Sequence, residues 1–323
     1  MLISPPFGGG RAPVLAKNAV ASSQPLATQA GIEVLQNGGN AVDAALATAI
    51  TLTVVEPTMN GLGGDGFALI WDGKKLHGMN ASGRAPAAWT PEYFAGKTAM
   101  DLIGWNTVTV PGMVSGWIEL SRKFGKLPFA QLFQRAIDYA ENGFPVSPVI
   151  ARQWREAIPI LKNQAGFSDS FLIDGKAPSA GQIWCYPAQA KTLREIADTE
   201  GESFYTGKLA QSMVDFAQST GGCFTMADFA NNQTEWVEPL AFDYGEYTLH
   251  EIPPNGSGIV AQMALGIVQA ANIKQYPANS AQRIHLQIEA MRIAFADAYA
   301  HVSDASTMKV PTSALLDREY LAS

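Results

Sequence analysis

Charge is what this sequence has least of. Asp, Glu, Lys and Arg make up 16% of its 323 residues, against roughly 25% in an average domain. Two readings fit that shortage: a large obligate interface, whose core excludes charge, or a large compact core. The balance is acidic, with a formal net charge of -7 and no run rich in Lys or Arg, which excludes the electrostatic footprint of a nucleic-acid binder. Cysteine is nearly absent. Cys185 and Cys223 stand far apart, so neither a disulfide framework nor a thiolate metal site is expected. No apolar run is long enough to span a bilayer. The longest, Ala41 to Val55, is interrupted by Asp43 and several threonines and falls short of the ~20 residues required. Met1 to Gly10, MLISPPFGGG, has neither a basic start nor a long apolar region, so a cytoplasmic location is expected.

What is present is an apolar fraction of 47%, enough for a sizeable core. SSQPLATQAGIEVLQNG, from Ser22, offers capping serines, Pro25 in a first turn and closing glycines, and so predicts a helix. Asn40 can cap a second helix through Val55, with Asp43 facing the helix dipole. Phe67–Trp71 reads as a buried strand and Leu76–Asn80 as its partner across the turn DGKK. Further helices are expected over Val114–Phe124, Pro128–Asn142, Ala188–Thr199, Lys208–Thr220 and from about Ser280 to His301, with a strand pair around Leu240–Ile252. The pattern is α+β, read as one unit over residues 1–323, mainly helical and short of strands for a self-sufficient sheet.

Residues 61–66, GLGGDG, match the dinucleotide-binding pattern G-x-G-x-x-G and raise a nucleotide-dependent oxidoreductase as an alternative function. Phosphate binding needs a strand before the glycines and a helix after them. Here the predicted order is the reverse, which favours a tight turn and close packing of helix on strand. NGSG, 255–258, lacks the first glycine of a nucleophile elbow and reads as a turn. His285 with Glu289 and Asp297 with His301 are each four residues apart on the last long helix. The pairs lie roughly 18 Å from each other along that helix and cannot share one ion, so surface polar pairs are expected and no metal site. In NASGRAP, from Asn80 to Pro86, an extended chain puts Ser82 and Arg84 on one face about 7 Å apart. Arg84 there either clamps a substrate carboxylate or makes a structural ion pair. These residues contain no complete catalytic set.

The succession SQPLATQAGIEVLQNGGNAVDAALATAITLTVVEP, GLGGDGF, NASGRAP, VPGMVSGW, SFYTG, GGCFTMADFA, PPNGSG and EAMRIAFADAYAHVSD resembles the gamma-glutamyltransferase family of N-terminal-nucleophile hydrolases over nearly the whole chain. The resemblance is to the large subunit alone. It implies a precursor that cuts itself once, leaving a small subunit whose new amino-terminal threonine is nucleophile and, through its amine, general base. No catalytic residue is then expected in this chain, no cofactor is required, and the fold is expected to be the large-subunit half of an αββα sandwich. The small subunit and a small-molecule amide are the implied partners, with a dimer of heterodimers as a larger assembly.

The family's large subunit contributes an arginine, in a stretch like F-R-E-x-A-P, that grips the substrate α-carboxylate. Aligning Ala85 and Pro86 puts Ser82 at that arginine's position. Exchanging a cation for a hydroxyl costs a bound carboxylate on the order of 1.5 to 3 kcal/mol. NASGRAP is more similar to the amidohydrolase and acylase members, such as oxamate amidohydrolases and cephalosporin acylases, than to gamma-glutamyltransferases or glutathione hydrolases, which remain the alternative. Arg84, Ser82 and Asn80 are the substrate-binding candidates.

Overall fold

A computed structural model describes residues 15–323; the stretch Met1–Gly10 lies outside the described residues. The chain forms two compact units. The first runs to Gly61 and resumes over Leu120–Leu209; the second comprises Leu62–Glu119 and Ala210–Ser323. The longer helices are α1 (Pro25–Gln36), α2 (Ala41–Val55), α3 (Met113–Phe124), α4 (Gln134–Asn142), α5 (Pro148–Leu161), α6 (Pro187–Asp198), α7 (Lys208–Ser219), α8 (Ile259–Ala270) and α9 (Ala281–His301), with a short α10 (Arg318–Ala322). Five strands carry the second unit: β1 (Gly66–Trp71), β2 (Leu76–Ala81), β3 (Glu235–Val237), β4 (Leu240–Tyr244) and β5 (Tyr247–Glu251).

The first unit is organised around α2. Asn40 caps it by accepting from the Val42 and Asp43 amides, while Asp43 accepts from the Asn40 amide in return. The fully buried Asp43 carboxylate also accepts the Lys126 amide at 3.1 Å and the Leu127 amide at 3.3 Å, fastening the loop after residue 124 to the helix start. A buried carboxylate is tolerated because several donors replace its lost water. Helix α1 lies close against α2. A Cβ at Gly31 would stand 2.3 Å from the Thr48 hydroxyl oxygen, so only glycine admits that approach. Leu46, Ile50 and Val54 of α2, Phe133, the α4 residues Ala136 and Ala140, and Leu193 and Ile196 of α6 are buried in this unit.

In the second unit β1 and β2 form an antiparallel hairpin, from Gly66 opposite Ala81 to Trp71 opposite Leu76, and β3 adds to the far side of β2. The turn is fixed by Asp72, which accepts the Lys74 and Lys75 amides through Oδ1 and bonds His77 Nε2 through Oδ2. These bonds hold the Asp72 carboxyl at a pKa of about 2, below its ordinary value, the Lys75 amide being the largest cause. A second hairpin, β4–β5, lies apart from this sheet. Beneath it, Ile259, Val260 and Met263 of α8 pack with Ala290, Ala294 and Ala298 of α9 and Leu321 of α10.

Most expected elements occur within a residue or two of their expected ends, and the α+β class holds. Four expectations need correction. Pro128–Asn142 is not one helix: a 3-10 turn over Phe129–Phe133 precedes α4. Helices α5 and α8 went unanticipated; α8 is apolar on nearly every face, so it shows no helical period. The β1 strand is not buried on both faces, since Phe67, Leu69 and Trp71 all face solvent from this edge strand. Finally, Gly61 and Gly63 of GLGGDG are not demanded by close packing. A Cβ at Gly61 or Gly63 would meet nothing within 4 Å, and neither has a positive φ.

Candidate functional site

The end of β2 and the segment after it gather the polar groups of the second unit. Asn80, 9% exposed, accepts the Ser82 amide at 3.0 Å through Oδ1 and donates from Nδ2 to Asn255 Oδ1 at 2.7 Å. Asn255 in turn donates to the Ser82 hydroxyl at 2.9 Å. Two amides and a hydroxyl thus form one bonded cluster at a surface position, Asn255 and the residues around it being partly open to solvent.

Gly83 decides how the chain leaves this cluster. Its φ is +77°, and a Cβ there would fall 1.8 Å from the Val110 carbonyl oxygen; no other residue fits. The strand ends at Ala81, so the regular alternation that would place Ser82 and Arg84 on one face does not apply. That expectation is corrected by the left-handed turn at Gly83. Beyond it the segment is pinned on both sides, by the Val110 amide donating to the Arg84 carbonyl at 2.9 Å and by the Ala87 amide donating to the buried Asp228 carboxylate at 2.8 Å.

The Arg84 guanidinium donates from Nη2 to Glu235 Oε1 at 3.1 Å. Both side chains are 58% exposed, so this pair adds little to stability. One contact does not exhaust a guanidinium with five N–H donors. Asp304 feels the same positive charge: its carboxyl pKa is lowered first by the Ser306 hydroxyl, then by the Ser306 amide, and to a smaller degree by Arg84. The structural ion pair is therefore present, and the remaining donors leave a recognition role open to Arg84.

Other candidates separate from this cluster. Glu289 bonds Arg292 at 2.8 Å and Asp297 accepts from the Tyr320 hydroxyl at 2.9 Å, and no group of three metal-ligating side chains occurs among the described residues. After Gly66 comes a strand, not a helix, which removes the amide-lined phosphate cradle on which the nucleotide-dependent oxidoreductase reading rested. Asp65, at that loop, is exposed, and partial desolvation of its carboxyl raises its pKa. NGSG is a turn into α8, and Ser257 is no elbow nucleophile; the residue of that turn that joins the site is Asn255. The helix end it precedes is occupied from within, because the Glu251 carboxylate lies where a Cβ on Gly258 would be, Oε2 2.5 Å away. Asn255 and Glu235 were missed by sequence reasoning. They are 175 and 151 residues from their partners Asn80 and Arg84, and no local pattern marks such a contact.

The gamma-glutamyltranspeptidase family model matches residues 27–323. The chain belongs to this family. Its relatives in the family include the oxamate amidohydrolase proenzyme of Klebsiella pneumoniae, 37% identical over 304 residues, covering 92% of this chain and 57% of that protein. Among solved structures, a cephalosporin acylase from Bacillus halodurans superposes with a TM-score of 0.87 at 42% identity, over 98% of this chain and 62% of its own. A gamma-glutamyltranspeptidase from Pseudomonas nitroreducens gives 0.88 at 33% identity, over 96% of this chain and 93% of that chain. The chain spans slightly over half, 57–58%, of the length of two of the curated relatives it matches. Its fold is that of the N-terminal-nucleophile hydrolases of this family, and its relatives are hydrolases made as proenzymes.

Proposed function

We propose that this chain is the large-subunit part of a self-processing amidohydrolase, and that it presents an amide of a small carboxylated molecule, oxamate-like or an acyl amide, to a threonine at the start of a small subunit. The observation that carries this reading is a polar recognition cluster, Asn80, Ser82 and Asn255 beside Arg84, in a chain whose described residues bring no nucleophile and base together at that cluster. The length relation supports it: slightly over half of each proenzyme relative, yet 93% of one solved transpeptidase chain.

In this mechanism the threonine hydroxyl attacks the amide carbonyl as its own amine takes the proton. The leaving amine departs with that proton, and water then cleaves the acyl ester. Arg84 orients the substrate carboxylate with the donors Glu235 does not use, and the exchange network of Asn80, Ser82 and Asn255 offers hydroxyl and amide hydrogens to a neutral carbonyl. Ser82, where the family's arginine would stand, favours the amidase reading over the second one, a gamma-glutamyltransferase or glutathione hydrolase, which the Pseudomonas nitroreducens relative keeps in play.

The test is an activity panel on the processed enzyme with oxamate, glutaryl amides and gamma-glutamyl anilide, repeated with Ser82→Arg and Arg84→Ala. Preference for a short amide, shifted toward the gamma-glutamyl compound by Ser82→Arg, supports the amidase. Faster turnover of gamma-glutamyl anilide by the unaltered enzyme, with transfer to an added amino acid, selects the alternative.

A further inference from the structure

The Arg84–Glu235 pair joins two differently built pieces of backbone. Glu235 is the first residue of β3, and the ladder sets it directly opposite Asn80, with Met79 opposite Trp236 and Gly78 opposite Val237. One cross-strand position thus carries both halves of the cluster: Asn80, which bonds Asn255 and Ser82, and Glu235, which bonds Arg84. Arg84 follows the end of β2, and its carbonyl accepts the Val110 amide at 2.9 Å. Both backbones are fixed by main-chain bonds, so the freedom left is that of the long arginine side chain. Glu235 removes it with one oxygen, Oε1 accepting from Arg84 Nη2 at 3.1 Å. A guanidinium offers two bidentate edges, one of Nε with Nη2 and one of Nη1 with Nη2, and each nitrogen pair supplies its own hydrogens. A single acceptor occupies one edge and leaves the other whole.

We propose that Glu235 is a positioning residue, which holds the Arg84 guanidinium so that its open edge is presented to the carboxylate of the substrate, without touching that substrate itself. This rests on the reading above that Arg84 receives a substrate carboxylate. Two other roles could fall to the same side chain, and magnitudes separate them. As a competitor for Arg84 it would weaken the binding of an anion. Two carboxylates on opposite edges of a guanidinium, roughly 6 Å apart in water-like surroundings, disfavour each other about threefold, and less in physiological salt; with both side chains of this pair 58% exposed, the surroundings are of that kind. Immobilising a side chain rich in rotamers before binding is worth about 2- to 12-fold in affinity, so ordering is the larger effect. As a receptor for a substrate ammonium, Glu235 would have to accept a second cation beside the one already 3.1 Å away, and the two cations repel.

The processed full-length enzyme tests this with Glu235→Ala and Glu235→Gln. Each is assayed with the carboxylated amide turned over fastest in the panel above and with the same compound carrying a carboxamide in place of its carboxylate. Glutamine keeps an oxygen acceptor for Arg84 and discards the charge, whereas alanine discards both. Glu235→Ala is expected to raise KM for the carboxylated amide about 3- to 10-fold, with kcat and the melting midpoint nearly unchanged. Glu235→Gln should bring KM back to within about twofold of the unaltered enzyme, and KM for the neutral compound should follow neither substitution. In an Arg84→Ala background, Glu235→Ala should add nothing, because the two residues act as one unit. A lower KM for the carboxylated amide in both variants identifies a competitor and overturns the proposal. So does an equal loss in both variants, which would assign the effect to charge, and so does an equal loss on charged and neutral compounds, which would assign it to the fold. A large effect of Arg84→Ala with none of Glu235→Ala removes the positioning role and leaves the proposed function standing. If Arg84→Ala itself leaves KM unchanged, or no carboxylated amide is turned over, the reading of Arg84 fails first and the role of Glu235 with it.

Discussion

Helix α2 in the first unit and helix α9 in the second are both rich in alanine and both start at a well-formed cap, yet their own chain treats them differently. Ten of the fifteen residues of α2 are buried, against three of the twenty-one in α9. The contrast extends beyond these helices. Among the described residues, every strongly exposed aromatic side chain, including Phe67, Trp71, Tyr247, Phe295 and Tyr299, belongs to the second unit. The first unit satisfies its buried carboxylate from within and, of its large apolar side chains, exposes only aliphatic ones such as Met59, Val149, Ile160 and Ile183, while the second holds the candidate site and leaves aromatic side chains on the outer side of α9 and the Phe67–Trp71 face of β1 uncovered. Apolar surface retained beside a recognition cluster is what a protein completed by another subunit requires.

The comparison is broken most severely at Asp43. Asp43→Ala leaves the Asn40, Lys126 and Leu127 amides without their acceptor in a dry site, and should cost about 3 to 5 kcal/mol in a urea unfolding experiment. A loss under about 1 kcal/mol would show that the closure of the first unit does not depend on this carboxylate. The matching substitution in the second unit, Ile288→Ser on the outer stripe of α9, should cost the full processed enzyme about 1 to 3 kcal/mol if a partner covers it. On an open surface the same change stays within about 0.5 kcal/mol, which is the outcome that would erase the difference between the two units.

Arg84→Ala sharpens the distinction between stability and recognition inside the second unit. With both partners of the Arg84–Glu235 pair largely exposed, the melting midpoint should be nearly unchanged, while kcat/KM for a carboxylated amide falls about 10- to 100-fold. Unchanged kcat/KM on an intact fold would assign Arg84 to the ion pair alone. The smallest effect is expected at the β1–β2 turn. The folded pKa of Asp72 is depressed to about 2, so the stabilisation it gives is present above its ordinary pKa near 3.8 and is lost as pH falls through about 2. Carboxyl NMR should place its midpoint near 2, with the Lys74 and Lys75 amides shifting together; a midpoint near 4 would mean the turn is not held in this way.

Where local chemistry fixes local structure, the sequence was readable. Asn40 and Asp43 marked the start of α2, Ser280 that of α9, and DGKK the hairpin turn, because caps and turns are decided within a few residues. The GLGGDG loop was also readable by its order, helix before and strand after, although the need for its glycines was not. Helix α8 escaped because its sequence, IVAQMALGIVQA, is apolar almost throughout, so few polar residues mark its outer face. The site was half legible. Asn80, Ser82 and Arg84 lie in one short stretch, but their arrangement depends on the left-handed turn at Gly83, which is set by the Val110 carbonyl 27 residues on, and on Asn255 and Glu235, which only the folded chain brings near.

The central claim is that this chain is the larger product of a precursor that cuts itself to free the catalytic threonine. Intact-mass analysis of the purified full-length gene product, with amino-terminal sequencing of each fragment, tests it most directly. Two fragments are predicted, the larger containing residues 15–323 and the smaller beginning with threonine, with amidase activity rising as the precursor disappears. A single uncleaved chain with full activity, or a smaller fragment starting at a residue without a nucleophilic side chain, would contradict it.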